Sequence, residues 1–508
     1  MHISHIFLEN LRGFKELNFD LAHSVDAQGQ SCYAGWIVFV GDNGSGKSSL
    51  LKAIAAGLLS EKHLDSLEPN RSNWIRKGED RAGYTLNIEQ EKRDDHFAND
   101  KIYPIETGIL KSKGVYADND RSQDDPLFDI AHVPHDDLLK LAPLDNSTIE
   151  KFAENQVEYW LKHWLKQLPE TTKRVVESAG IREKSATSAY QLLMSDENKK
   201  NLMLINLTYL AMTQGPLADN ATGWFSCGYG PFRRVFGASQ EATQLMTGEV
   251  VERFATLFNE AASLFEADRW LRDLRYKTLE GNESAKAQLE LVLELLRDEF
   301  MPNQITLKGV NSDGLWLEDR NGLRLAWRDM SDGYRAALAL LCDILRHLIR
   351  KFGVEGLAAR NAEGRLYITR SGVVLIDEVD AHLHPEWQRE ISGWLKRHFP
   401  HIQFLVTTHS PLICQAADKI FVLPEPGSDE LPYALSDAQL QEVRASKSDA
   451  VLRSPAFGLQ NTRSELAVEN LAEFSKLRSK QRAGATLTPA ESTRLAELDN
   501  FIHADKEL

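Results

Sequence analysis

The chain has 508 residues, 42% of them hydrophobic and 26% charged, a balance that excludes wholesale disorder and leaves room for more than one ordinary domain. Its 59 Lys and Arg against 74 Asp and Glu leave a net charge of −15, so it is no bulk binder of polyanions and any nucleic-acid contact needs a local basic patch. No run approaches the roughly 18 apolar residues of a membrane span, the start MHISHIFLENLRGF lacks the apolar stretch of a secretion signal, and Cys32, Cys227, Cys342 and Cys414 stand singly; a reducing cytoplasm, away from membranes, is the expected setting.

Residues 1–60 read as an alternating strand (Ile3, Ile6, Leu8), a buried apolar strand (Trp36 to Val40), a glycine-rich turn and the helix SSLLKAIAAGLL. SNWIRKGEDRAGYTLNIEQEK predicts a turn and a half-exposed strand, and the polar stretch 95–130 predicts a surface loop. Helical spacing dominates 136–215, where Trp160 and Trp164 belong to a core face rather than a base-stacking platform. WFSCGYG predicts a strand and glycine turn, and helices return over 241–300. QITLKGV and a hairpin about Arg320-Asn321-Gly322 follow, then a long helix over 331–351, the strand VVLIDEV, a helix through Trp387 and the strand IQFLVTT. The segment 435–508 is polar and helical, with Thr488-Pro489-Ala490-Glu491 opening its last helix as a capping box. Alternating apolar strands and helices predict an α/β fold built on a mainly parallel, covered sheet.

Gly41-Asp42-Asn43-Gly44-Ser45-Gly46-Lys47-Ser48 matches GxxxxGK[ST] between a predicted strand and helix, the context in which backbone N–H groups and a helix N-terminus surround phosphates. Asn43, Gly44, Ser45, Gly46, Lys47, Ser48 and Ser49 form the expected ATP cradle; Lys47 reaches the β- and γ-phosphates and Ser48 ligates Mg²⁺. VVLIDE buries four aliphatics and delivers Asp377 to a strand's carboxyl end as a second Mg²⁺ ligand, with Glu378 placed to polarise water. Ser331 precedes the long helix, where it serves either as an anion site or as a plain N-cap; His409 ends a strand, where it either touches a γ-phosphate or rests in a loop.

Taken together these motifs resemble the ATP-binding-cassette ATPases of the SMC/RecF-like branch, as do LENLRGFKEL and WIRKGEDRAGYTLNI. The resemblance implies a P-loop ABC-type head in which Ser331, Asp332 and Gly333 of one copy close over ATP held by another. It makes Glu378 the catalytic base and His409 the switch histidine, and puts Asp380 and Ala381 in the loop joining subunits. Met330, Asp332 and Tyr334 depart from the family's LSGGQ while Ser-x-Gly is kept. A closer resemblance, to the PtuA-type ATPases of Septu and retron-associated antiphage systems, rests on SCGYGPFRR, DRWLRDLRYKTLEG, MSDGYRAALALLCDILRHL, DEVDAHLHPEWQ, TTHSPLICQAAD and VLRSPAFGLQNTRSELAVENL. It implies a head-to-tail homodimer or higher homo-oligomer working with a separate PtuB-like HNH nuclease, and in some systems with a reverse transcriptase and its retron DNA. A repair or maintenance ATPase of the RecF type, with no nuclease partner, is the alternative.

The implied organisation is 1–130 as the N-terminal lobe of the head, 131–300 as a mainly helical insertion, 301–430 as the C-terminal lobe and 431–508 as a helical tail. The tail is too short and too helical for a Toprim nuclease domain, and no HNH pattern occurs, so the chain is not expected to cut DNA itself. His132, His135, Asp136 and Asp137 read as a solvated loop rather than a metal cluster. His382 and His384 suit either a subunit or nucleotide edge or a structural role. Arg233 and Arg234 suit either phosphate or nucleic acid or surface ion pairs.

Overall fold

The computed structural model describes residues 1–25, 31–79, 81–89, 103–110, 224–233, 249–264, 267–301, 304–428 and 430–504. The helical reading of 136–215, with Trp160 and Trp164, lies outside the described residues, as do His132, His135, Asp136, Asp137 and Arg234. In chain order the first elements are β1 (His2–Leu11), β2 (Phe14–Asp20), the ribbon β3 (Ser24–Val25) and β4 (Ser31–Cys32), β5 (Gly35–Val40), α1 (Lys47–Gly57), α2 (Glu61–Leu67), β6 (Arg81–Glu89) and β7 (Tyr103–Leu110). Next come β8 (Ser226–Tyr229), α3 (Glu249–Glu252), α4 (Ala255–Phe258), α5 (Ala267–Leu279), α6 (Glu283–Arg297), β9 (Thr306–Asn311), β10 (Gly314–Glu318) and β11 (Arg324–Ala326). The chain continues through α7 (Asp332–Phe352), β12 (Ala358–Arg360), β13 (Leu366–Ile368), β14 (Gly372–Ile376), α8 (Pro385–His398), β15 (Ile402–Thr407), α9 (Pro411–Cys414), β16 (Lys419–Val422) and β17 (Tyr433–Ala434). It ends in α10 (Asp437–Ala445), α11 (Ser448–Arg453), α12 (Glu465–Arg482) and α13 (Pro489–Ala504).

The central sheet has the order β17-β16-β5-β15-β14-β8, parallel throughout except for the edge strand β17. Its strands are apolar on both faces, and the period of two divides them between two cores. Trp36, Val38, Val40, Val374, Ile376, Phe404 and Val406 join one core with α5, α6, α7 and α8. Ile37, Phe39, Val373, Leu375 and Leu405 join the other with α1 and the antiparallel sheet β2-β1-β6-β7. Gln403 stitches the two sheets: its side chain accepts from Ile3 N–H at 2.8 Å and donates to Ile3 O at 2.9 Å, as a paired strand would. Being buried, it has its polar atoms satisfied by that exchange.

One expectation needs correction. The polar stretch 95–130 was expected to be a loop, yet β7 pairs with all but the last residue of β6, from Arg81↔Leu110 to Ile88↔Tyr103. Packing runs across residue 300: β8 pairs with β14 inside the central sheet, and Leu271, Leu289 and Val292 of α5 and α6 share a core with Val374. It runs across residue 430 as well, where Leu435, Leu440, Val443, Val451 and Ala456 belong to that same core. The hairpin at 320–322 is present, with Gly322 at φ 81°. The capping box is also present, Thr488 N–H reaching Glu491 Oε2 at 2.8 Å and Glu491 N–H reaching Thr488 Oγ1 at 3.2 Å. Among the described residues no helix is long and apolar enough to cross a membrane.

Candidate functional site

Three loops leave the carboxyl ends of β5, β15 and β14, strands adjacent in the sheet, so the topology gathers their residues at one edge. The first is the P-loop. Gly41, Gly44 and Gly46 take φ of 155°, 82° and 96°, which only glycine adopts readily. At Gly41 a Cβ would also stand 2.7 Å from Ser45 Oγ and 2.9 Å from Leu423 O, so this turn has no room for a side chain. Lys47 opens α1 and is buried; its Nζ lies across the loop, donating to Gly41 O and Asp42 O at 2.8 Å each. Burial pushes its pKa down, while the charges of Asp377, Glu378, Asp42 and Asp380 oppose the shift. Ser45 Oγ is buried with no hydrogen-bond partner.

The second loop follows β14. Asp377 is buried, and its Oδ1 accepts from Thr407 Oγ1 at 2.5 Å while its Oδ2 has no partner. Glu378 is half-buried at φ 46°, and its N–H donates to the same Thr407 Oγ1 at 2.7 Å. One hydroxyl therefore holds both acids in place. The third loop follows β15: Thr408 Oγ1 donates to Asp380 Oδ1 at 2.5 Å and His409 N–H to the same oxygen at 3.4 Å, leaving the His409 side chain exposed. Gln388 of α8 closes this set, accepting from Ser410 Oγ at 2.7 Å and donating to Leu383 O at 2.9 Å.

A buried carboxylate oxygen and a buried hydroxyl without partners, beside a glycine cradle and a lysine, are what a phosphate with its cation would satisfy. Among the described residues no three His, Cys, Asp or Glu side chains gather as a metal cluster. Mg²⁺ takes one or two protein ligands and fills its shell with phosphates and water. Ser48 and Asp377 are the residues that could hold it.

Ser331 is exposed at the N-cap of α7, and its hydroxyl makes no capping bond. Asp332, also exposed, pairs with Arg335 one turn on. Gly333 is packed so closely that a Cβ would stand 2.1 Å from His382 O. Tyr334 sets its ring edge-on to Trp387 at 5.4 Å, and Met330 is buried. Among the described residues no hydrogen bond joins Ser331, Asp332 or Gly333 to the P-loop; their close neighbour is the turn after Glu378. His384 caps α8 through a 3.4 Å bond from Glu386 N–H, a structural role, while His382 is exposed at φ 67°.

Two contributors, Arg12 and Thr407, were not foreseen, and a third, Arg233, was expected in another role. Arg12 donates to Ser49 Oγ at 3.0 Å and lies 5.3 Å over the Trp74 ring, so Ser49 is engaged by the protein itself. Arg233 is no surface group: it is buried, and its guanidinium donates to the carbonyls of Asp377, Glu378 and Ala381. Thr407 carried no signal beyond its place at the end of an apolar strand.

Two family models match, one described as "AAA domain" over residues 5–203 and one as "AAA domain, putative AbiEii toxin, Type IV TA system" over residues 217–415. "Retron Ec83 probable ATPase" of Escherichia coli is 24% identical over 447 residues, covering 82% of this chain and 70% of the relative. "Septu protein PtuA" of Bacillus mycoides (strain KBAB4) is 36% identical over 219 residues, covering 42% of this chain and 27% of the relative, so the match spans about a quarter of that protein. Among solved structures, an Smc head domain with a coiled coil and joint from Pyrococcus yayanosii has a TM-score of 0.37 at 17% identity, covering 87% of this chain and 99% of that one.

Proposed function

We propose that the chain is a PtuA-type P-loop ATPase of the SMC-like branch, working as a head-to-tail pair, or a larger assembly of such pairs, that gates a separate effector in antiphage defence. The observation that carries this reading is the meeting of Lys47, Asp377 and Glu378 at one sheet edge, with Asp377 Oδ2 and Ser45 Oγ buried and unpartnered. Bound ATP supplies the phosphoanhydride, and Mg²⁺, which Ser48 and Asp377 would hold, would offset its charge. Asn43 to Ser49 wrap the phosphates, and Lys47 leaves the Gly41 and Asp42 carbonyls to reach them. Glu378 takes the proton of the attacking water, and His409 orients on the γ-phosphate from the neighbouring loop. Ser331, Asp332 and Gly333 of a second copy close the site, which explains why Ser331 is exposed with its hydroxyl uncommitted at a helix start.

By this reading the effector is an HNH nuclease of the PtuB kind, joined in retron systems by a reverse transcriptase and its DNA, all in the cytoplasm; the residues inserted between the lobes and the tail are where such partners dock. Glu378→Gln should bind ATP and accumulate as a closed pair with turnover reduced at least about 100-fold, whereas Lys47→Ala should not bind nucleotide. Light scattering with and without ATP and Mg²⁺ reads the pairing, and phosphate release reads the turnover. Retained turnover in Glu378→Gln would remove Glu378 as the base. Capture of Glu378→Gln from its host, followed by mass spectrometry, tests the partner. A small HNH protein supports the defence reading, and recombination proteins with DNA alone would overturn it.

A further inference from the structure

We propose that Arg233 is a positioning residue for hydrolysis: from the end of β8 it fixes the backbone turn that carries Glu378, so that the carboxylate meets water in one orientation. The inference rests on the reading of Glu378 as the base.

The path to Arg233 is built tightly. β8 pairs with β14 in the register Ile376↔Tyr229, and Asp377 N–H donates to Tyr229 O at 2.8 Å, so the two strands end together. The chain then turns at Gly230, where a Cβ would stand 2.1 Å from Thr256 O, a backbone atom that cannot swing away. Three residues on, Arg233 takes φ 24°, a conformation rare outside glycine, and is 4% exposed, while its neighbour Phe232 is 48% exposed. A strained residue turned inward beside an exposed phenylalanine marks a position held for its side chain.

That side chain meets the acidic turn from beneath. Nη1 donates to Asp377 O at 3.3 Å, and Nη2 to Glu378 O at 2.9 Å and Ala381 O at 3.2 Å. Glu378 at φ 46° and His382 at φ 67° both hold left-handed backbone, and the turn between them has two bonds of its own, Ala381 N–H to Glu378 O at 2.8 Å and Leu383 N–H to Asp380 O at 3.0 Å. The guanidinium adds to these a planar fork spanning three carbonyls that a point-charge ammonium cannot span. Burial pushes Arg233 down to about 10 while the charges of Asp380, Asp377 and Glu378 hold it up, so it is a cation at neutral pH. Thr407 holds Glu378 by its N–H and Arg233 holds it by its C=O; both ends of the residue are pinned and only the carboxylate is left to act.

The test uses the full chain with Arg233→Ala and Arg233→Lys, reading steady-state kcat, affinity for a non-hydrolysable ATP analogue with Mg²⁺, and recovery of Arg233→Ala activity by added guanidinium. A misplaced catalytic group costs about 100-fold, so kcat of Arg233→Ala should fall by about that factor with analogue affinity within about threefold of the parent. Arg233→Lys should lose at least about tenfold, and guanidinium at millimolar levels should restore part of the Arg233→Ala rate. Parent-like kcat in either folded variant, or affinity lost in proportion to kcat, overturns the proposal. If Arg233→Ala does not fold, Arg233→Lys decides alone by the same criteria. Glu378→Gln run alongside separates the failures: its full turnover sinks the base reading, whereas a slow Glu378→Gln beside fast Arg233 variants sinks only the role of Arg233.

Discussion

Thr407 shows how much of the site depends on one hydroxyl that no motif names. It donates to Asp377 Oδ1 and accepts from Glu378 N–H, so Asp377 keeps Oδ2 uncommitted and Glu378 keeps its bend. Valine is nearly isosteric with threonine but offers neither bond, leaving a buried amide and a buried carboxylate oxygen unsatisfied. Thr407→Val should therefore lower kcat by about 10- to 100-fold with little change in KM for ATP, and destabilise the fold by about 1–3 kcal/mol. Steady-state kinetics with a denaturant melt check both; unchanged kcat would show that Asp377 and Glu378 keep their geometry without it. The contrast with Lys47 explains what the sequence makes legible at this scale. The glycine loop is written in consecutive residues, because positive φ at Gly44 and Gly46 demands a particular local spelling. Thr407 meets a carboxylate and an amide, Arg12 a hydroxyl and Arg233 three carbonyls, dozens to more than a hundred positions away, and such contacts leave no local trace.

Among the elements, α7 joins distant parts of the chain through buried charges. Residues Ala336 to Ile349 are all buried, including Asp343, Arg346 and His347, so the middle of the helix is enclosed. Its charges survive there by pairing. Asp343 accepts from Tyr229 Oη at 3.0 Å and Arg346 Nη2 at 2.9 Å and lies 3.2 Å from His347 Nε2, while Glu252 takes Arg346 at 2.5 Å and Arg350 at 2.8 Å. Burial alone would raise the pKa of Asp343, but His347 and Arg346 outweigh it and hold the carboxyl below the usual carboxylate range. A depressed carboxyl contributes stability that is whole above its unfolded-state pKa and lost as pH falls through the folded value, so this network should fail only in strong acid. Removing one member leaves buried charge behind: Asp343→Ala should cost about 3–5 kcal/mol in denaturant unfolding at neutral pH. A cost near zero would mean that Glu252 alone satisfies Arg346. Periodicity predicted the length of α7 well, since Ser331 and Gly353 bound it, but not the partners of its charges. β7 was missed for a related reason: YPIETGIL carries a proline, a glycine and a glutamate, and only pairing along β6 makes it a strand.

For the whole molecule, the useful division lies within the C-terminal helices rather than before them. Leu435, Leu440, Val443, Val451 and Ala456 are built into the core beneath the parallel sheet, and Arg444 donates to Ala417 O at 2.6 Å. α12 and α13 instead bury Leu477, Leu495 and Leu498 against one another in a small core of their own, pinned by Lys480–Glu491 at 2.6 Å and Arg494–Glu473 at 2.9 Å. Composition cannot separate these two kinds of helix, because both are polar overall; the difference is what their few apolar residues touch. Two truncations should therefore behave oppositely. A chain ending at Arg463 loses only the hairpin, and its main thermal transition and ATP turnover should stay within experimental error of the full chain. A chain ending at Glu430 loses four buried Leu and Val side chains, each contributing roughly 1.5–3 kcal/mol, a sum comparable with the ~5–15 kcal/mol stability of a whole domain. It should be recovered unfolded or aggregated. Calorimetry of the two chains decides between them: equal melting of both would mean that residues 431–463 only decorate the head, whereas unfolding of the Arg463 chain would make the terminal hairpin part of the ATPase fold.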